Sequence, residues 1–215
     1  MEIIKVNIRE PDLDTLKKVS ADIERGKLVA YPTDTLYGLC TNPFDEDAVR
    51  RLLSAKKRGV GKGLPILVDG LGCLKKIAYV DERVSTIVER FWPGALTLIL
   101  NKRIYLSDTV TGSDKTVAVR MPACTLTLKL AGLCGGFIIG TSANISGSID
   151  PPTTAERVVE ELYGLVDIVL DGGKTPWSQP STIIDVSGVK VRVAREGALP
   201  LNELRKFLGS IEANF

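Results

Sequence analysis

The sequence predicts an α/β fold, strands alternating with helices, with a local basic site. Three observations predict it. Short apolar runs of strand length, such as residues 28–31 and 95–100, alternate with segments whose apolar residues recur at helical spacing, such as Leu13, Leu16, Val19 and Ile23. Hydroxyl-rich turns follow strand ends at residues 32–39 and 141–147, where α/β folds build ligand sites. Cations also cluster, because residues 48–68 hold Arg50, Arg51, Lys56, Lys57, Arg58 and Lys62 and no acid.

Each element has a local reason. Residues 2–8 alternate enough for a strand. Pro11 suits the first turn of a helix that puts Leu13, Leu16, Val19 and Ile23 on one face, and Gly26 stops it. The apolar strand at 28–31 ends at Pro32, because proline has no N–H for a sheet ladder. Thr33, Asp34, Thr35 and Tyr37 crowd the following turn, and Gly38 lets its backbone close tightly. Asp45 caps a helix that turns Val49, Leu52 and Leu53 to the core, and residues 64–68 form the next strand.

Residues 71–78 and 81–91 read as helices, the second ended by Pro93, which disfavours helical backbone at Trp92. Trp92 itself is expected in the core. After the strand at 95–100, residues 102–114 are polar and irregular, an excursion able to border a pocket. The strand at 116–120 delivers Arg120 to its end, just before Pro122. A helix at 125–133 and a buried strand at 136–140 lead into Ser142, Asn144 and Ser146, which read either as a plain Ser/Asn turn or as a ligand loop. Thr153 and Glu156 have capping-box spacing ahead of a helix bearing Val158, Val159 and Leu162. A strand covers 166–170, and strands at 181–186 and 189–194 pair around Ser187-Gly188, so that Arg195 emerges at the end of the second. Pro200 starts a last helix with Leu201, Leu204, Phe207, Leu208 and Ile211 on one face.

Composition bounds the function. With 215 residues, 44% hydrophobic and 25% charged, the chain can bury a sizeable core, and without repeats or a strong linker it is expected to form one domain over 1–215. The net charge of +2 excludes a dedicated nucleic-acid coat, so any basic site is local. There is no histidine, which removes histidine triads, HExxH zinc sites and imidazole bases. Cys40, Cys73, Cys124 and Cys134 lack CxxC spacing and read as free thiols of a cytoplasmic protein. Residues 1–10 are too charged for a signal peptide, and no apolar run is long enough to predict a membrane span. Gly173-Lys174-Thr175 mimics the end of a P-loop, but Ile168 stands where its first glycine belongs and Pro176 opposes a following helix, so that reading is rejected.

The stretch at 56–63 is the most chemically suggestive. Gly59, Gly61 and Gly63 expose backbone N–H groups, and Lys56, Lys57, Arg58 and Lys62 supply positive charge, which together suit phosphate. The same residues equally suit a solvated loop whose cations complement a helix C-terminus.

Taken together, these blocks resemble the YrdC/Sua5 family, the threonylcarbamoyl-AMP synthases. The family pattern is a strand, Pro-Thr-(Asp/Glu)-Thr-x-Tyr-Gly-Leu, then Lys-x-Arg, then Lys or Asn before a Leu-rich strand. It is matched by Pro32 to Leu39, by Lys56-Lys57-Arg58 and by Lys62-Gly63-Leu64. Further matches follow in order at Phe91 to Thr97, Val117 to Pro122, Ser142 to Gly147, Ser181-Thr182 and Arg195 to Gly197.

The resemblance implies a single YrdC-like domain, a twisted mixed sheet with helices packed around it and a basic concave site, that joins L-threonine, bicarbonate and ATP into threonylcarbamoyl-AMP and pyrophosphate. The product would serve the N6-threonylcarbamoyl modification of tRNA adenosine, with tRNA or a downstream threonylcarbamoyl-transferase complex as a further partner. It implies catalytic roles for Lys56 and Arg58, and ATP binding by Arg58, Lys62, Asn144, Thr153 and Arg195. It implies threonine binding by Thr35, Arg120, Ser142 and Ser181, with Mg2+ arriving on ATP rather than on protein ligands. The planar fork of Arg120 suits a carboxylate, worth about 1.5–3 kcal/mol when desolvated. Many members carry a histidine in the strand after Lys-x-Arg, where Leu67 or a neighbour stands here, and the chain resembles the short, stand-alone form. A second function class is an RNA-binding module that uses the same basic concavity without chemistry. The near-neutral charge and 6% aromatic content weigh against it.

Overall fold

The computed structural model describes residues 1–59, 61–103, 106–112, 115–209 and 211–213. Parts of the expected excursion over 102–114, and Val60 in the glycine-rich loop, lie outside the described residues.

The first third builds one sheet and two helices. Strand β1 (Glu2–Lys5) stops short of the expected residue 8, because Asn7 Oδ1 accepts from the N–H groups of Arg9 and Glu10 and turns the chain. Helix α1 (Leu13–Glu24) is capped by Asp12, whose Oδ2 accepts from Thr15 N at 2.7 Å. Pro11 therefore precedes the cap instead of opening the helix. Leu13, at the first helical position, is exposed, while Leu16, Val19 and Ile23 are buried as the periodicity predicts. Strands β2 (Val29–Tyr31) and β3 (Gly38–Cys40) flank the 32–37 turn. Gly38 is required there, since a Cβ would lie 2.5 Å from Cζ of Tyr31. Helix α2 (Glu46–Ala55) starts at the Asp45 cap.

The middle of the chain builds the second sheet. Strand β4 (Ile66–Val68) precedes helices α3 (Leu71–Ile77) and α4 (Glu82–Phe91), the latter capped by Asp81. Strand β5 (Leu96–Asn101), the short helix α5 (Asp108–Thr111) and strand β6 (Thr116–Arg120) follow. The excursion is thus partly helical, and Val110 O accepts from Leu64 N at 2.7 Å, pinning it to the start of the strand after the glycine-rich loop. Trp92 is buried as expected, its Nε1 donating to Leu96 O.

Helix α6 (Thr125–Leu133) leads to strands β7 (Phe137–Ile139) and β8 (Thr141–Ser142). Helix α7 (Ala155–Leu162) is capped by Thr154, whose Oγ1 accepts from Arg157 N. Thr153, the residue expected to cap it, lies one position earlier; the spacing could not separate two adjacent threonines. Strands β9 (Ile168–Asp171), β10 (Thr182–Asp185) and β11 (Arg192–Arg195), helix α8 (Leu201–Leu208) and strand β12 (Glu212–Ala213) complete the order. None of the helices among the described residues is long and apolar enough to cross a membrane.

The strands divide between two mixed sheets. One has the order β1-β9-β2-β3-β8, the other β12-β11-β10-β5-β6-β4-β7. Tyr31 reaches between them, its hydroxyl donating to Ile139 O at 2.7 Å. Asp167 latches the first sheet to α2: it accepts from Leu28 N at 2.8 Å and takes a bidentate pair from Arg51 at 2.7 and 2.8 Å.

Alternation along the seven-stranded sheet gives it two unlike faces. Ile66, Val68, Leu96, Leu98, Leu100, Val117 and Val119 are buried in the common hydrophobic core. On the opposite face, Leu67 pairs with Arg120, Thr97 with Ile183, and Ile183 with Arg195. Leu98 pairs with Val119, which brings Thr97 level with Arg120. Cross-strand neighbours share a face. Five strands therefore present one row, Leu67, Arg120, Thr97, Ile183 and Arg195, and this row is the floor of the site.

Candidate active site

A hollow of about 310 Å3 opens over that floor. Ala118 and Ile99, one pleat further along, extend the floor. The wall comes from the other sheet, through Thr33, Thr35, Leu36 and Tyr37 of the β2–β3 turn, Gly38 of β3, and Thr141 and Ser142 of β8. Gly140 also lines the hollow, and a Cβ there would meet Cδ2 of Leu67 at 2.5 Å. An adjoining hollow is lined by Lys56, Lys57, Arg58, Gly59, Lys62, Ser142, Asn144, Ser146 and Gly147. Arg58 and Ser142 border both.

Arg120 is 6% exposed and makes three hydrogen bonds. Its Nε donates to Gly94 O at 2.9 Å, its Nη1 to Thr35 Oγ1 at 2.7 Å, and its Nη2 to Asp34 Oδ1 at 2.6 Å. Burial lowers its pKa, and the charge and hydrogen bond of Asp34 oppose that shift. The carboxylate next to Arg120 is thus an internal one. A guanidinium has five N–H groups, so two remain for a ligand.

Thr33 Oγ1 is fully engaged within the turn. It donates to Leu36 O at 2.6 Å and accepts from the N–H groups of Thr35 and Leu36 at 3.0 and 3.2 Å. Thr35 Oγ1 lies 3.0 Å from it and accepts from Arg120, which leaves Thr35 one lone pair for a ligand. That lone pair can accept from an amine or hydroxyl.

Ser181 is held on the floor by Thr97, with 2.8 Å between their hydroxyl oxygens. Arg195 folds back over Ser181, its Nε and Nη2 donating to the carbonyl oxygen at 3.1 and 2.8 Å. The pKa of Arg195 is lowered by burial and by the charges of Arg120 and Arg58, which records three guanidiniums in one region. Arg58 donates to the carbonyls of Lys62 and Gly63, and so shapes the glycine-rich loop it precedes. Burial lowers its pKa as well.

Lys56 is the most enclosed of the cations, 1% exposed. Its ammonium donates to the carbonyl of Ser142 and, at 2.7 Å, to that of Asn144. Burial, and then the charge of Arg58, push its pKa down to about 7, with Glu161 opposing. Ser142 Oγ donates to Asn144 Oδ1 at 2.6 Å, which leaves the Asn144 amide N–H groups as donors.

The structure therefore brings Thr35, Arg58, Arg120, Ser142, Ser181 and Arg195 around one hollow, and Lys56, Lys62 and Asn144 around its neighbour. Thr153 lines neither; its carbonyl accepts from Thr175 N. Sequence reasoning did not assign Thr33 or Thr97 to the site. Thr97 left a signal, being the one polar side chain within Leu96-Thr97-Leu98-Ile99-Leu100. Such clustered, mutually repelling cations with hydroxyl and amide groups between them can bind and bring together two anionic ligands.

Comparison with known proteins bears on this arrangement. Residues 21–197 match the Sua5, YciO and YrdC family model, described as "Telomere recombination". A threonylcarbamoyl-AMP synthase of Pyrococcus abyssi is 41% identical over 210 residues, which cover 97% of this chain and 62% of that protein. A putative threonylcarbamoyl-AMP synthase of Methanocaldococcus jannaschii is 37% identical over 198 residues, 92% of this chain and 91% of that one. The crystal structure of P. abyssi Sua5 complexed with L-threonine superposes with a TM-score of 0.95 at 39% identity, over 100% of this chain and 63% of the other. The chain thus spans under two thirds of the P. abyssi relative.

Proposed function

This chain belongs to the Sua5/YciO/YrdC family, and from that premise we propose that it makes threonylcarbamoyl-AMP and pyrophosphate from L-threonine, bicarbonate and ATP. The observation that carries the proposal is the convergence of Arg58, Arg120 and Arg195 with Thr35, Ser142 and Ser181 on one hollow. The names of the relatives support the reaction, and the P. abyssi complex supports the amino acid.

The chemistry follows from charge. The threonine nitrogen adds to the carbon of CO2 derived from bicarbonate and loses a proton, giving a carbamate. A carbamate oxygen attacks the α-phosphorus of ATP, the bond to the β-phosphate oxygen breaks, and pyrophosphate leaves. Both reactants are anions, so the protein's main task is to neutralise and orient them. Arg120 takes the threonine carboxylate on its two remaining N–H groups, and Thr35 accepts from the threonine amine or hydroxyl. Ser181 and Ser142 complete that end. Arg58, Lys62 and Arg195 neutralise the phosphates and the Asn144 amide donates to them, whereas Thr153, which lines neither hollow, takes no part. Lys56 adds charge and holds the 142–144 turn in register. Mg2+ enters on the triphosphate as part of the substrate. Among the described residues no three His, Cys, Asp or Glu side chains are grouped to hold a metal ion unaided.

The product is a reactive mixed anhydride, which suits a downstream transferase that modifies tRNA adenosine. The four free thiols suit a reducing cytoplasm. Mass spectrometry of the adenylate product tests the proposal. The threonylcarbamoyl adenylate and pyrophosphate are expected only when threonine, bicarbonate and ATP are all present. Salt-sensitive RNA affinity with no pyrophosphate release would overturn it in favour of a binding module.

A further inference from the structure

We propose that Asp34 is a positioning residue, set behind Arg120 to hold its guanidinium at a fixed angle to a substrate carboxylate. The proposal rests on the synthase reading for the identity of that carboxylate, but the clamp itself rests on geometry alone.

Asp34 and Arg120 form an ion pair whose side chains are 6% and 7% exposed. Arg120 lines the hollow and Asp34 does not, so Asp34 can act on a ligand only through Arg120. The three acceptors that hold the guanidinium come from two segments. Asp34 Oδ1 and Thr35 Oγ1 belong to the β2–β3 turn, and Gly94 O to the loop before β5. One contact falls on each nitrogen of the planar group, so rotation about the Nε–Cζ bond breaks at least two of them. One N–H stays free on Nη1 and one on Nη2. A buried ion pair is a weak source of stability compared with packed apolar residues. Its presence under the floor of a site is better accounted for by orientation.

The pair also divides the charge of the hollow. Asp34 cancels the charge of Arg120, whereas the ion pairs among the described residues include neither Arg58 nor Arg195. The Arg120 end therefore suits an amino acid of no net charge, and the Arg58–Arg195 end keeps its charge for phosphate.

Two measurements test the inference. The first is 15N NMR of the arginine side chains in the wild-type protein without ligand, with Arg120 assigned by its loss in Arg120→Lys. Separate Nη1 and Nη2 signals are expected, because a held guanidinium rotates slowly. A single averaged signal overturns the clamp, whatever the protein's substrate. The second is a kinetic split. Asp34→Asn is expected to raise KM for threonine by about tenfold or more while KM for ATP stays within about twofold, and Asp34→Glu is expected to recover most of the loss. An unchanged KM for threonine, or an equal rise for both substrates, overturns the inference. A wild-type protein that releases no pyrophosphate with threonine defeats the synthase reading, and the NMR result still decides the clamp.

Discussion

The ammonium of Lys56 donates to the carbonyl oxygen of Asn144 at 2.7 Å, and it holds that of Ser142 as well. One buried cation at the end of α2 thereby fixes the turn after β8. The contact is reinforced by Ser146 N, which donates to Lys56 O at 2.8 Å. Replacing the ammonium with a thioether of similar reach leaves both carbonyls short of a donor. Lys56→Met is expected to destabilise the protein by about 1–3 kcal/mol in urea titrations. It should also cut turnover more than its stability loss explains, because Ser142 and Asn144 are no longer held in place.

The same ammonium gives a pH signature. Its pKa is about 7 in the folded protein, through burial and the charge of Arg58, against an ordinary value of 10.5. Between these values the unfolded chain carries a proton that the folded chain lacks, so stability rises with pH through the window. Below about pH 7 both states are protonated and the contribution is flat. The stability difference between wild type and Lys56→Met, followed by urea titration from about pH 6 to about pH 9, is expected to move in favour of the wild type as pH rises. A constant difference would show that Lys56 keeps its charge when buried.

Asp167 acts in the opposite direction. Burial raises its pKa, but the hydrogen bond from Arg51, the N–H of Leu28 and the charge of Arg51 outweigh burial, and the net shift is downward. Its contribution is present above the ordinary value of 3.8 and is lost as pH falls through the lowered one. Asp167→Asn is expected to cost about 1–3 kcal/mol at neutral pH and to make acid unfolding less steep. Circular dichroism across an acid titration checks both.

Arg58 borders both hollows, and its side chain also holds two loop carbonyls. Arg58→Ala is expected to abolish measurable turnover, a loss of about a hundredfold or more, with the fold intact by circular dichroism. Wild-type pyrophosphate release from that variant would remove Arg58 from the site.

Gly140 and Leu67 are matched in shape. A Cβ at residue 140 would lie 2.5 Å from Cδ2 of Leu67, so Gly140→Ala is overpacked. It is expected to cost about 1–3 kcal/mol, and Leu67→Ala in the same chain should recover part of that. Equal and additive losses in the double variant would separate the two residues.

Much of the fold was legible because its causes are local. Asp45 caps α2 and Trp92 is buried, as the sequence indicates, since caps and apolar periodicity act over one or two turns. The two misplaced helix starts have the same origin in reverse. Pro11 next to Asp12, and Thr153 next to Thr154, are adjacent residues that both suit a helix start, and side-chain geometry decides between them. The division of the strands into two sheets leaves no local trace. Nor does the floor row, because its members pair across 53 residues from Leu67 to Arg120 and across 86 from Thr97 to Ile183. Arg120 was visible as a charged residue at a strand end. Its bond to Asp34, 86 positions away, was not.

The floor row also has a consequence for synthesis. Ser181 and Arg195 are made long after Thr97 and Arg120, yet they stand beside them in the finished sheet. A chain still emerging from the ribosome has the β2–β3 turn and most of the cations before β10 and β11 exist to join them. Ligand capture should therefore switch on late and abruptly in translation. Protection from a protease by ATP and threonine would then distinguish chains extended past β11 from every shorter one.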